Sequence, residues 1–341
     1  MSKVLVTGGL GYIGSHTLVV LIEAGYEVVS IDNLSNSDLG VIDQIEEITG
    51  VRVENFTIDL CDAPAVKTVF DKHPDITGVI HFAAFKAVGE SVDHPLMYYR
   101  NNLVSLINVV QEVKARAIAC LVYSSSCTVY GIPDKLPVTE QTPLQPAESP
   151  YGQTKQMGEQ IMLDALKGAK TQGVSLRYFN PAGAHPSALM GESPVNLALN
   201  LVPVITETAA GLRDEVVVFG DAYDTRDGTC VRDYIHVMDV AHAHQLALEA
   251  AVEGKLSHPV ETINMGIGQG VTVMETITAF MKTTGKDLNY RIGPARPGDV
   301  PSIYADHSKA TSLLGWEPQF TVDDIMKTAW DWELKRRGLS S

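Results

Sequence analysis

Short apolar runs of strand length recur through the first half of the chain. Between them lie stretches whose apolar residues return every three or four positions. Val4–Val6 reads as a buried strand, and beyond it Ile13, Thr17, Val20, Leu21 and Ala24 fall on one face of a helix. Residues 27–31, 52–58, 78–82, 118–123 and 174–178 read as five further strands. Helices are expected from Pro95 to about Lys114 and from Pro150 to about Lys170, each with Pro at its first position, and Ser149 caps the second. Strands alternating with helices predict an α/β fold, a doubly wound parallel Rossmann sheet. The segment 131–149 is Pro-rich and reads as a loop. The pattern breaks at Asn180-Pro181-Ala182-Gly183-Ala184-His185-Pro186 and resumes with a helix from Met238 to about Val252 and a strand over 261–264. The expected division is a dinucleotide-binding domain over 1–180 with a return segment at about 237–264. Residues 181–236 and 265–341 then form a smaller mixed α/β substrate lobe.

Ligands of doubly wound sheets sit at the carboxyl ends of the strands. Gly8, Asp32, Asp59, Phe82 and Ser126 all fall at such ends. Gly8, Gly11 and Gly14 form a G-x-x-G-x-x-G turn between the first strand and helix, where glycines permit a tight turn and close approach to a diphosphate. Asp32 ends the second strand, placed to accept hydrogen bonds from an adenosine ribose and to repel a 2′-phosphate. The following Asn33-Leu34-Ser35-Asn36-Ser37 holds no Arg or Lys, so NAD is expected rather than NADP. Ala83-Ala84-Phe85-Lys86 follow the fourth strand, and the small residues leave room for a cofactor.

Composition changes this picture little. The net charge of −15 argues against a nucleic-acid or anionic-membrane surface. It makes each loop arginine more informative. Cys61, Cys120, Cys127 and Cys230 show neither C-x-x-C nor zinc spacing, so reduced thiols, no metal and a cytoplasmic location are expected. The first strand begins at about Lys3, leaving no room for a leader, and no apolar run reaches membrane-span length.

The candidate chemistry lies in Tyr151 and Lys155, four apart on one helix face. A free tyrosine, of pKa about 10, is a poor base at neutral pH. A neighbouring ammonium, and the cationic ring of oxidised NAD, would favour its phenolate. Ser126 could hydrogen-bond the same substrate hydroxyl, giving a base, an electrostatic tuner and an orienting donor.

The glycine turn, Ser126 and Tyr151-x-x-x-Lys155 resemble the extended short-chain dehydrogenase/reductase family. Six further motifs resemble its UDP-glucose 4-epimerase family over the whole chain: Asp32-Asn33-Leu34, His81-Phe82-Ala83, residues 86–91 (KAVGES), 177–181 (RYFNP), 183–186 (GAHP) and 231–237 (VRDYIHV). The resemblance implies that Tyr151 takes the proton from the sugar 4-hydroxyl while hydride passes from C4 to tightly bound NAD. The 4-ketopyranose then turns over and the same hydride returns to its opposite face. It implies cofactor contacts at Tyr12, Ile13, Leu60 and the segments 33–37 and 83–86, and contacts around the nicotinamide and sugar at Lys86, Asn101 and Phe179. For UDP it implies Arg232 and Arg296, with Asn180, Asn200, Leu201, Val217, Val218, Phe219 and Asp299. Ile303 would line the sugar pocket and, being stiff and of middling size, favour UDP-glucose and UDP-galactose over their N-acetylated analogues. A homodimer packing the helices that begin at Pro95 and Pro150 is also implied. A sugar-nucleotide 4,6-dehydratase would need an acid and a base beside Ser126, where relatives carry Asp-Glu. Here Cys127-Thr128 follows instead. The alternatives kept are therefore a UDP-N-acetylglucosamine 4-epimerase and, less favoured, the dehydratase.

Overall fold

The computed structural model describes residues 2–194, 198–296 and 299–339. β1 (Lys3–Thr7) passes through the glycine turn into α1 (Tyr12–Glu23). β2 (Glu27–Ile31), α2 (Gly40–Thr49), β3 (Glu54–Phe56), α3 (Ala63–Lys72) and β4 (Ile76–His81) follow in alternation. α4 (Val88–Asp93) runs into α5 (Pro95–Ala115), β5 (Cys120–Ser126) ends in a 3₁₀ turn over Cys127–Tyr130, and α6 (Pro150–Leu166) leads to β6 (Gln172–Tyr178). The crossing region holds β7 (Asn180–Ala182), α7 (Leu201–Ala209), β8 (Val216–Phe219), β9 (Val231–Arg232) and β10 (Tyr234–His236). The return segment is α8 (Val237–Val252) and β11 (Val260–Met265). β12 (Val271–Thr272), α9 (Val273–Thr284), β13 (Tyr290–Gly293), α10 (Ser308–Leu314) and α11 (Val322–Arg337) complete the chain.

The central sheet has the order β11-β6-β5-β4-β1-β2-β3, every neighbouring pair parallel. The chain leaves β1 in one direction and β4 in the other, so the crevice between their carboxyl ends is the switch point where such sheets bind ligands. One face is covered by α1 and α8, which enclose Leu18, Leu21, Val240 and Leu248. The other is covered by α3, α5 and α6 through Phe70, Leu106, Val109 and Met162. Each such side chain contributes about 1.5–3 kcal/mol when buried.

Several boundaries differ from those expected. β3 is shorter than 52–58 because it is an edge strand paired only with β2. β5 runs on to Ser126 because Ser124–Ser126 stay in register with Leu176–Tyr178 of β6. Helix α1 is buried from Gly14 to Leu21 rather than along one face, since α8 packs over it. Ala24 lies beyond its end and is exposed. α6 stops at Leu166, short of Lys170, where Gly168 takes a left-handed conformation at φ 73°.

In the second lobe α7, α9 and α11 pack around β8, with Ile205, Val218, Phe280 and Trp330 at the centre. The segment after 265 is not confined to this lobe. Ala310 of α10 and Trp316 pack in the first core, and the Trp316 indole N–H donates to the Asp239 carbonyl at 3.0 Å.

Candidate active site

At the switch point the backbone leaves no room for side chains. Gly8 has φ 67°, and a Cβ there would stand 2.8 Å from the Ala83 nitrogen after β4. A Cβ on Gly14 would strike the Gly8 carbonyl oxygen. Gly11 sits at the N-cap of α1 without a side-chain hydrogen bond, so nothing there masks the first amides of the helix, including those of Tyr12 and Ile13. This crowded cradle with a bare helix N-terminus fits a dinucleotide diphosphate. Asp32 is buried at the end of β2. It accepts from the Leu10 amide at 3.0 Å, the Leu34 amide at 3.0 Å and the Ser37 hydroxyl at 2.6 Å. It therefore braces the glycine turn, and a carboxylate retains lone-pair capacity for a further donor. Asn33, Ser35, Asn36 and Asp59 are exposed around it. Leu60 instead turns its side chain into the core, while its carbonyl accepts from the Asn108 amide at 2.8 Å. Ala83 and Ala84 line the loop after β4. Asn102 holds that loop, accepting from the Phe85 N–H at 2.9 Å and donating to the Phe85 carbonyl at 3.0 Å. Asn101 donates to the Asn102 side-chain oxygen at 3.0 Å, and the Tyr12 hydroxyl donates to the Gly183 carbonyl at 2.6 Å.

Ser126, Tyr151 and Lys155 come together at the carboxyl end of β5. Ser149 caps α6 by accepting from the Gly152 amide at 3.1 Å, which sets the first turn that carries Tyr151. Ser126 caps the 3₁₀ turn, accepting from the Thr128 amide at 3.3 Å, and its hydroxyl faces that of Tyr151. Lys155 donates to the Ser124 carbonyl at 2.6 Å, and its nitrogen lies 5.7 Å from the centre of the Tyr151 ring. The electrostatics differ from the expectation of a phenolate favoured by the lysine. Burial pushes Tyr151 up to about 12, with Ser126 opposing. Burial likewise lowers Lys155 to about 7, with Glu159 opposing. Burial of both side chains disfavours their charged forms, so positive charge in the site favours the phenolate.

Phe179 and Asn180 follow β6 beside this cluster. Phe179 packs with Cys127, Tyr130 and Ile303, and the Asn180 amide side chain donates to the Asp233 carbonyl at 3.2 Å. Ile303 is thus part of a small core that abuts the turn after Ser126. In the second lobe Arg232 is paired with Asp299 at 3.1 Å, and Arg296 stacks on Phe219 with 3.7 Å between guanidinium carbon and ring centre. Val218 and the half-buried Leu201 face the lobe's core, whereas Val217 and Phe219 on β8 are partly open. Lys86 meets Glu192 at 3.4 Å, and Glu192 also accepts from Asn200 at 2.8 Å. The sequence reading missed Glu192, Asn102, and the buried pair of Glu159 with Arg177. Asn102 and Arg177 do have a signal in the chain: each is a polar residue in the middle of an otherwise apolar helix face or strand.

The family described as GDP-mannose 4,6 dehydratase matches residues 5–329. Within that broad group the UDP-glucose 4-epimerase of Bacillus subtilis is 45% identical over 331 residues, covering 97% of this chain and 96% of its relative. The chain belongs to the UDP-glucose 4-epimerase family. Solved UDP-glucose 4-epimerases share its whole fold. The one from Stenotrophomonas maltophila, with bound NAD and formylated UDP-arabinopyranose, has a TM-score of 0.95 at 44% identity and covers 99% of both chains. The one from Bifidobacterium longum, in complex with NAD+ and UDP, has a TM-score of 0.93 at 43% identity and covers 98% of this chain and 99% of its own. The epimerase family accounts for Cys127-Thr128 after Ser126, where a dehydratase would need its own acid and base. Among the described residues no helix is long and apolar enough to cross a membrane, and no cluster of metal-binding type is present.

Proposed function

We infer that the chain interconverts UDP-galactose and UDP-glucose by inverting C4 of the hexose through a 4-keto sugar, with NAD as resident cofactor. The observation that carries this is the Ser126–Tyr151–Lys155 cluster at the switch-point end of β5, without an adjoining acid–base pair, in a chain that matches epimerases end to end. The glycine cradle, Asp32 and the 83–86 loop would hold the cofactor. When bound, NAD would supply the hydride acceptor for C4 and the donor for its return. Tyr151 takes the proton from the 4-hydroxyl and returns it in the second half-reaction, with Ser126 orienting the sugar oxygen. Lys155 holds positive charge close to the phenolate. Arg232 and Arg296 suit the diphosphate, whose two charges call for guanidinium groups. Asp299 pairs with Arg232 and orients it, and Phe219 is a stacking surface. Anchoring UDP firmly while leaving the pyranose loosely held lets the keto sugar present its other face.

We further propose that the chain forms a homodimer through α5 and α6 and works in the cytoplasm. Support for the dimer is the run of exposed apolar side chains on these packed helices: Leu96, Met97 and Ile107 on α5, Met157 and Leu163 on α6.

The test supplies purified protein with UDP-galactose and no added NAD, and follows UDP-glucose. Wild type is expected to convert it, and Tyr151→Phe to lose about 100- to 10,000-fold in kcat while still binding UDP. A wild type that stays inactive even with NAD supplied contradicts the reading. Near-normal turnover by the phenylalanine variant removes Tyr151 as the base.

A further inference from the structure

Behind Lys155 lies a charged network that the reaction described above leaves unused. Glu159 follows Lys155 by four positions on α6, so both side chains leave the same helix face. Its carboxylate is engaged at both oxygens. One accepts from the Ser125 hydroxyl at 2.5 Å and from Arg177 Nε at 2.8 Å, the other from a second Arg177 nitrogen at 2.5 Å. Arg177 sits on β6 and also donates to the Tyr130 hydroxyl at 3.0 Å, which donates to Asn264 of β11 at 2.6 Å. The Glu159 and Arg177 side chains are 7% and 6% exposed, so the pair is dry. Such a buried pair adds little stability over apolar residues of the same volume. Its position one turn from Lys155 points to an electrostatic use.

The groups around Lys155 come from five elements. Tyr151 and Glu159 lie on α6. Tyr123 on β5 has its ring centre 5.0 Å from the ammonium, and His81 on β4 stacks on that ring at 6.2 Å. Tyr178 and Arg177 lie on β6, and His244 on α8 packs against Tyr178 at 5.9 Å. Burial keeps both histidines neutral, lowering His81 to about 3 and His244 to about 4, and raises Tyr123 and Tyr178 away from ionisation. The fixed charges left are Glu159 and, beyond it, Arg177. Of the two, Glu159 is the one that favours the ammonium of Lys155.

We propose that Glu159, clamped by Arg177 and Ser125, is a positioning residue that holds Lys155 in its cationic form during proton transfer at Tyr151. The proposal rests on the roles given above to Tyr151 and Lys155. It assigns the clamp a purpose: a carboxylate pinned by a bidentate arginine cannot swing toward the substrate.

Glu159→Gln keeps the shape and removes the charge, but leaves Arg177 as an unpaired buried cation that disfavours the ammonium further. The double variant Glu159→Gln/Arg177→Gln removes both charges and guards against misfolding. Two readouts are taken on the protein as purified. One is the titration of Lys155 by NMR of 13Cε-labelled lysine, assigned with Lys155→Met. The other is the pH profile of kcat. A counter-charge within about 4–6 Å is worth about 1–3 pH units. The Lys155 midpoint and the alkaline limb of kcat are expected to fall by about one unit or more in the single variant. They should fall by less in the double variant, with the UDP-galactose KM unchanged within about twofold. A folded, UDP-binding double variant whose Lys155 midpoint is unmoved overturns the proposal, whatever its activity. Should wild type not epimerise, the functional reading fails, while the NMR midpoint still decides whether Glu159 governs Lys155.

Discussion

His16, His81 and His244 are buried, and burial disfavours the charged ring at each. Nδ1 of His16 faces the Tyr12 carbonyl at 2.7 Å and Nδ1 of His244 the Val240 carbonyl at 2.8 Å, so that nitrogen carries the proton in each. Their Nε2 atoms are buried without a partner, which suits a bare lone pair and would strand an added N–H. Burial lowers His16 and His81 to about 3 and His244 to about 4. The unfolded chain protonates these rings near pH 6.5 and the native protein only near 3 to 4, so stability is full above pH 6.5 and falls as pH drops through that window. Each histidine removes about 1.4 kcal/mol per pH unit there. The urea midpoint is expected to fall steeply between pH 6.5 and 4. A midpoint flat across that range contradicts the assignment. Ile303, buried against Cys127 and Phe179, argues a second case at this scale. Its stiff side chain fills space next to the turn after Ser126, and a 2-acetamido group adds three heavy atoms to the sugar. Ile303→Gly is expected to gain at least about tenfold in kcat/KM on UDP-N-acetylgalactosamine. No gain in a folded variant removes Ile303 as the gate.

Among the elements, α6 ties stability most directly to chemistry. Ser149 caps it, and Tyr151 is its second residue. Ser149→Ala is expected to remove about 1 kcal/mol and lower the melting temperature by about 1–2 °C. Because the freed first turn carries Tyr151, kcat should fall several-fold at temperatures where the protein stays folded. Unchanged kcat with the expected loss of stability would confine the cap to a structural role. This helix start is legible in the chain, because Ser-Pro before a helical pattern has one physical meaning. The sheet is legible for a similar reason: strands buried on both faces read as unbroken apolar runs, as at Val4–Val6 and Ile118–Tyr123. Ser124–Ser126 are hidden from that signal because polar side chains can stay in register while the strand points into a site. Glu159 is hidden likewise, since hydrophobic periodicity counts a buried polar residue on a helix as surface. Trp316 and α10 are misassigned to the second lobe by chain order alone, although they pack in the first core.

At the scale of the whole molecule, the two lobes meet around the carboxyl ends of the sheet, while α5 and α6 lie on the first domain's outer face. Leu96, Leu103 and Ile107 of α5 are spaced by seven and four, which puts them on one stripe. Met157 and Ile161 of α6 are spaced by four, and the two helices pack side by side. Leu96 is 80% exposed, Ile107 38% and Met157 39%, an apolar surface on a chain otherwise carrying a charge of −15. The occupant proposed for this face is the same face of a second copy, since a two-fold axis lets two α5–α6 pairs close into a four-helix contact. In such an interface each substitution acts twice. Burying an Ile or Met side chain is worth about 1.5–3 kcal/mol, and an introduced carboxylate adds desolvation and like-charge repulsion across the axis. Ile107→Glu/Met157→Glu is therefore expected to weaken dimerisation by at least about a hundredfold, read as a shift to monomer in light scattering at micromolar concentration. The residues assigned to UDP, Arg232, Arg296 and Phe219, lie outside α5 and α6, so the monomer should retain UDP binding. A wild type that is monomeric at the same concentration, or a double variant that stays dimeric, removes α5 and α6 as the interface.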